Sequence, residues 1–476
     1  MITVVGGGFA GVEAAWAAAQ RGCRVRLYEM RPVKMTPAHE TSLLSELVCS
    51  NSFKSQDPET PAGQLKAEMK ELGSLVIPTG EEHSVPGGSA LCVDRGKYAE
   101  AITQAIEGHE NIEVVREEFT PEMAEAALGP LLASPKGEGS GDAILVGEAE
   151  RTSSVRTPSL TLPQRGGDRG TLIIATGPLT SEGLGGWLAE KTGRDHLYFY
   201  DAVSPTVDAS TIDFDTVFAQ SRYDKGGADY LNCPFDKDGY DKFVEALIKA
   251  DRVPLKEFEK AKYFESCKPI EEIASKGHDS LRFGNFKPVG LTDPRTGGRA
   301  YAVVQLRPEN REKTLYSLVG CQNRLKWGVQ KDVLHMIPGL EKAEFVRLGV
   351  IHRNTYIEAP KVLTPWLEFR DTPGLYVAGQ LTGVEGYVES AAMGIYVGIT
   401  VARREIGQDP IAPPRNCAYG SLIAHLQDDT PREFAPMNIN WGLLPDPPDA
   451  PRKKDERRKK KLEAARKAFS EWSSTL

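Results

Sequence analysis

The chain has no apolar run long enough to span a bilayer, no CxxC pair, and no excess of basic over acidic residues. Each absence removes a class of function. Without a long apolar run no helical membrane anchor is expected, and with a first strand opening at Ile2 no leader peptide is expected. Seven scattered cysteines, an odd number, make neither a disulfide framework nor a zinc cluster nor a redox dithiol. A reducing, cytoplasmic setting is expected. The net charge of −8 excludes a uniformly basic nucleic-acid binder, though not a local basic patch. At 476 residues the chain can bury a large core, so two domains or one domain with insertions are expected.

What is present begins at the N-terminus. Gly6-Gly7-Gly8-Phe9-Ala10-Gly11 follows the apolar run Ile2–Val5 and opens a small-residue helix, and Glu29 closes the next apolar run, Cys23–Tyr28. Strand, glycine turn, helix, strand and acid in this order form a dinucleotide-binding fingerprint. Gly6 suits the tight turn, Gly8 the backbone approach to a pyrophosphate, and Gly11 the packing of helix on strand. The helix N-terminus offers N–H groups and positive dipole to the phosphates, and Glu29 is placed to accept from the adenosine ribose.

A strand ending in Ala175-Thr176-Gly177 and a late strand-to-turn, Leu375–Gln380 with Gly379 and Gln380, are followed by a helix rich in Ala and Gly through Gly398. A late helix of this kind aims its N-terminus at the pyrimidine end of a flavin. Together these elements favour FAD over soluble NAD. The expected fold is α/β: an FAD-binding Rossmann-like domain of the two-dinucleotide-fold type with an inserted smaller α/β domain. Residues 1–200 and 321–445 form the first, 201–320 the inserted substrate or RNA domain, and 446–476 a tail. Helices are expected over 61–75 and 241–250. The stretch 134–169, rich in Ser, Pro, Gly and Arg, reads as a disordered surface insertion. From Arg452 to Lys467 the tail holds ten Lys or Arg against three acids, a pattern usual for a solvated helix and equally suited to an RNA contact.

Two cysteines stand out. Cys49, in Glu46–Ser52, lies just downstream of the fingerprint, although a cysteine between Val and Ser is by itself more often a buried filler. Cys233 precedes Pro234 in what reads as a polar, aromatic loop. The residue pattern alone goes no further than an FAD protein with two notable cysteines.

The blocks MRPVKMTPAHETSLLSELVCSNSFKS, ATGPLTS, ADYLNCP, KPVGLTDPRTG, VQLR, HRNTY and AGQLTGVEGYVESAAMG carry more. Through them the chain resembles the bacterial folate- and FAD-dependent tRNA (uracil-5-)-methyltransferases, from Met1 to about Gly442. The departure is 134–169, where the family has a short connection. The resemblance implies methylation of the T-loop uridine of tRNA at carbon 5, giving ribothymidine. Methylenetetrahydrofolate supplies the carbon, and FAD reduced by NADPH or NADH supplies the electrons. Carbon 5 of uracil is a poor nucleophile until a thiolate adds to carbon 6. The resemblance places the two catalytic cysteines at Cys49 and Cys233, one as that nucleophile and the other handling the carbon-5 proton, without saying which. It also points to His352, Arg353 and Asn354 as folate contacts.

For RNA, Arg222, Lys225, Arg282, Lys287 and Arg295 suit a phosphate-facing groove, and Tyr223, Tyr230, Phe283 and Phe286 could stack an unpaired base. No metal and no stable protein partner are expected. Among rivals, the related wobble-uridine flavoprotein carries a long extra C-terminal helical domain, and a disulfide reductase needs a CxxxxC pair that Cys49 lacks. A non-catalytic RNA-binding flavoprotein would bind tRNA without either cysteine.

Overall fold

The computed structural model describes all residues except 37, 130–169, 194–196, 203, 226, 254–267, 311, 350 and 430–433, together with the side chains of 197–202 and 351–355. The insertion expected at 134–169 thus lies outside the described residues.

Five short apolar strands make a parallel sheet in the order Leu375–Val377, Thr171–Ile174, Ile2–Val5, Val25–Tyr28, Ile112–Val115. Ile2 pairs with Val25 on one side and Thr171 on the other, so the first strand is central. Thr171–Ile174 is buried along its whole length, as a strand covered on both faces must be. The helices Phe9–Ala19 and Tyr387–Glu405 pack on each other through small residues. A Cβ at Gly398 would come within 2.6 Å of the Ala14 carbonyl oxygen, and one at Gly394 would strike that of Ala10. Close approach of these backbones brings both helix N-termini to one end of the sheet, where the rings of Phe9 and Tyr387 stack at 4.5 Å.

The chain leaves and re-enters this body through paired antiparallel strands, Leu197–Ala202 and Ile351–Tyr356. Between them lies a second body built on an antiparallel sheet. Its order is Phe218–Ala219, Leu231–Phe235, Ala302–Pro308, Leu315–Val319, Thr206–Asp208, Phe345–Arg347. Its core runs from Val207 to Phe345 and takes in Val333, Leu334 and Ile337. The boundary expected at 320 therefore falls inside this core. The chain rejoins the first body only after Phe345.

The two faces of this sheet have different work. Leu231, Cys233 and Phe235 pair with Leu306, Val304 and Ala302 and turn into the core with Tyr240, Phe243, Val244 and Leu247 of the helix Lys237–Lys249. On the other face, by the two-residue alternation of strands, stand Asn232, Val303, Gln305 and Arg307.

The tail helix Lys454–Ser473 is not free in solvent. It buries Leu462, Ala465, Phe469 and Trp472, and Arg466 bonds Gln64 and Glu59 beside the helix Pro61–Glu71. No described helix is long and apolar enough to cross a membrane.

Candidate active site

A cleft with about 1110 Å³ of free space, its open mouth included, lies at the ends of the parallel strands. Gly6, Gly7, Gly8, Phe9 and Ala10 line it, with Glu29, Gly177 and Gln380. Gly6 has φ +104, and a Cβ there would lie 2.7 Å from the Ala175 carbonyl oxygen. Gly11 lies outside the lining because its task is packing: a Cβ would collide with the Gly6 carbonyl. Gly379 likewise turns toward Ala10. At Gly8 a Cβ would meet nothing within 4 Å, so the backbone there faces open space. Since Val12 N–H is the one that bonds back to Gly8, the earlier N–H groups of the helix point toward that space. These are the features a dinucleotide pyrophosphate requires.

Glu29 is more constrained than its sequence role suggests. One carboxylate oxygen accepts from the Arg31 backbone N–H (3.0 Å) and Nε (2.9 Å), the other from Gly7 N–H (3.0 Å) and Arg31 Nη2 (3.2 Å). Burial alone would raise its carboxyl, but Arg31 and the Gly7 N–H hold it below the ordinary range. Arg31, itself buried, also reaches Glu46 at 3.0 Å. Glu29 thus fixes the glycine turn and Arg31 at one wall of the cleft.

Cys49 lies at the edge of the same cleft, half-buried. Tyr387, first residue of the late helix, places its hydroxyl oxygen 2.9 Å from Cys49 Sγ. That oxygen also accepts from the backbone N–H groups of Val48 (3.1 Å) and Cys49 (2.9 Å). Burial first, then the adjacent Cys49, pushes the Tyr387 phenol well above its ordinary value, so it keeps its proton at neutral pH. With both lone pairs engaged by N–H donors, the phenolic hydrogen is left to donate to sulfur. Such a bond favours the thiolate.

Three arginines hold the loop from outside. Arg95 donates to the Leu47 carbonyl and to Glu309, Arg347 to the Val48 carbonyl at 2.7 Å, and Arg307 to the Ser50 hydroxyl at 3.2 Å. Arg307 stands on the second body's sheet, so that body takes part in positioning Cys49.

Against known proteins, residues 1–409 match the family model described as glucose inhibited division protein A. Among the most similar curated relatives is the methylenetetrahydrofolate–tRNA-(uracil-5-)-methyltransferase TrmFO of Desulfotalea psychrophila. It is 46% identical over 475 residues, covering 99% of this chain and 97% of the relative. The protein of the same name from Geobacter sulfurreducens is 47% identical over 476 residues, covering 100% and 99%. The chain belongs to this family. A solved structure of Aquifex aeolicus GidA matches in fold, with a TM-score of 0.65 at 19% identity, over 99% of this chain and 73% of that one.

The other residues singled out from sequence fall in different places. Cys233 is in a strand rather than a loop, fully buried, with its side chain on the core face and not on the face that carries Arg307. Burial pushes its thiol well above the ordinary value, and Cys321 and Glu341 add to the effect. The structure therefore brings Cys49 to the cleft and leaves Cys233 outside it. His352, Arg353 and Asn354 lie on Ile351–Tyr356, whose backbone packs beside the turns Gly177–Leu179 and Gly379–Thr382.

Of the five basic candidates for RNA, three make internal bonds, Arg282 among them through Nε to the Tyr301 carbonyl at 3.0 Å. Arg222 bonds Gln305 and the Lys287 and Val289 carbonyls, and Arg295 bonds Asp293 and the Asp215 carbonyl. Lys225 and Lys287 are exposed, and Arg282 stacks on Tyr301. Phe286 is completely buried and so offers no ring for a base, whereas Phe283 is 74% exposed. Among the described residues no His, Cys, Asp or Glu cluster could hold a metal.

Proposed function

We propose that this protein is a folate- and FAD-dependent methyltransferase acting at carbon 5 of the T-loop uridine of tRNA in the cytoplasm. The observation that carries the reading is Cys49, set at the edge of a dinucleotide cleft with the Tyr387 hydroxyl oxygen 2.9 Å from its sulfur. Relatives nearly half identical over their whole length bear the name of that activity.

Gly6–Ala10 and the helix N-terminus behind them would hold the FAD pyrophosphate. Glu29 and Arg31 would flank the adenosine half, and Gly177 and Gln380 the flavin half. The strand bearing His352, Arg353 and Asn354 runs beside that second half and would receive the folate. Bound there, methylenetetrahydrofolate supplies a one-carbon unit and reduced FAD the two electrons that take it to methyl, with NADPH or NADH restoring the reduced flavin.

The protein's own part begins at Cys49. Its thiolate, which a hydrogen bond from the Tyr387 hydroxyl favours, adds to carbon 6 of the uracil and pushes the C5–C6 electron pair toward the carbon-4 oxygen. Carbon 5 would then bond to the one-carbon unit, whose bond to the folate nitrogen would break as two electrons and a proton reduce it to methyl, tetrahydrofolate leaving. Loss of the carbon-5 proton and expulsion of Cys49 restore the aromatic ring and the thiolate. In this reading Cys49 is the nucleophile. Cys233 could act on the carbon-5 proton only by leaving the apolar core it occupies. A test is to supply methylenetetrahydrofolate labelled with ¹³C in its methylene, with NADPH and unmodified tRNA, and to weigh the nucleosides after digestion. Label in 5-methyluridine supports the reading; 5-methyluridine formed only with S-adenosylmethionine contradicts it.

A further inference from the structure

The second body carries another concavity, remote in sequence from the dinucleotide cleft and lined by three cations, two aromatic rings and no carboxylate. Phe283 presents an exposed ring at its edge. The Arg282 guanidinium lies over the Tyr301 ring at 4.1 Å and 5.3 Å from the centre of Phe283, held by a 3.0 Å bond to the Tyr301 carbonyl. Lys287 and Arg299 are exposed and make no ion pair with a described residue. Asp279, which accepts from the Tyr301 hydroxyl at 3.3 Å, is not part of the lining.

The loop bearing this pocket is fixed, and fixed to the catalytic side of the sheet. Arg222 ties the Lys287 and Val289 carbonyls to Gln305. Gln305 shares a sheet face with Arg307, whose guanidinium reaches Ser50 beside Cys49. One face thus connects the nucleophile to the pocket. A flat exposed ring next to unneutralised cations matches a nucleotide, which has a π-face and a phosphate. An acidic peptide would use the cations and leave the ring idle.

We propose that this pocket is a second nucleotide subsite for the RNA substrate: Phe283 stacks an unpaired base other than the one methylated, and Lys287 and Arg299 take its flanking phosphates. This rests on the tRNA reading above. The test uses FAD-loaded protein and end-labelled unmodified tRNA, with anisotropy read over a range of salt concentrations. Phe283→Ala should weaken binding about tenfold with the salt slope unchanged, and Phe283→Trp should restore it. The double variant Lys287→Ala, Arg299→Ala should flatten the slope by about 1.5 units, as expected for two lost phosphate contacts. NADPH oxidation without tRNA and FAD content should match wild type in all variants. Wild-type affinity and slope in Phe283→Ala and the double variant, while wild type still makes ribothymidine, would overturn the subsite alone. Failure of wild type to bind tRNA would overturn both readings. Polyglutamate competing with tRNA for a site equally sensitive to Phe283→Ala would assign the pocket to acidic protein and overturn the nucleotide.

Discussion

Replacing Tyr387 by Phe removes one oxygen atom and leaves the ring stacked on Phe9. That oxygen makes three contacts within 3.1 Å, to the N–H groups of Val48 and Cys49 and to Cys49 Sγ. A hydrogen bond to a charged group contributes about 1.5–3 kcal/mol, and the thiolate of Cys49 loses that support. Two partly buried N–H groups also lose their acceptor, which costs about 1–3 kcal/mol of stability. The Tyr387→Phe variant should therefore bind FAD, melt slightly lower, and methylate tRNA about 10- to 100-fold more slowly near neutral pH. The decisive assay is the rate of Cys49 alkylation by iodoacetamide against pH, followed by peptide mass spectrometry. Its midpoint should move to higher pH, and activity should recover partly as pH is raised. An unchanged midpoint with wild-type turnover would refute the phenol–thiolate argument.

Other expectations follow from the same structure. In native protein without tRNA, Cys49 should be alkylated and Cys233 protected; equal reactivity would show that the second core opens freely. Cys233→Ser puts a hydroxyl into an apolar core and should lower stability by about 1–3 kcal/mol, read as a fall in Tm. Gly11→Ala forces a methyl into the Gly6 carbonyl and should give protein lacking FAD; a yellow, stable variant would contradict the packing assigned to Gly11. Glu13 and Glu68, buried, each have a carboxyl raised to about 7, chiefly by burial and against hydrogen bonds from Val76 and Leu75, and from Ala418, Tyr419 and Gln64. Between the ordinary glutamate value near 4.3 and about 7 the folded state holds protons that the unfolded state has lost. Stability should then fall as pH rises through this window and level off above it. Glu13→Gln with Glu68→Gln should flatten that slope in Tm; an unchanged slope would remove both groups as its source.

Legibility in the sequence followed locality. The fingerprint, Gly6–Gly11 to Glu29, was readable because a phosphate turn needs its glycines within a few residues of one strand. The support of Cys49 was not readable. Tyr387 is 338 positions away, and Arg95, Arg307 and Arg347 arrive from three other elements. Tyr387 stands inside the segment AGQLTGVEGYVESAAMG, yet nothing local says that its hydroxyl meets a sulfur.

Cys233 shows the opposite failure. The alternation Leu231, Cys233, Phe235 is a strand signal, masked by Asn232 and Pro234 between them. Proline fits there because the neighbouring strand Phe218–Ala219 pairs only with Asn232 and Leu231, so position 234 lies past the end of that ladder. The second core's reach to Phe345 was hidden because its last strand returns after a helix that local pattern cannot assign to either body.

The central claim is that Cys49, beside a loaded FAD cleft, attacks the uracil. Purified yellow protein should be incubated with unmodified tRNA, methylenetetrahydrofolate and NADPH alongside Cys49→Ala, and ribothymidine and bound FAD quantified in both. Ribothymidine from wild type and none from a Cys49→Ala protein that keeps its FAD is the predicted result. Ribothymidine formed by flavin-loaded Cys49→Ala at the wild-type rate, or none formed by wild type that binds tRNA, would contradict it.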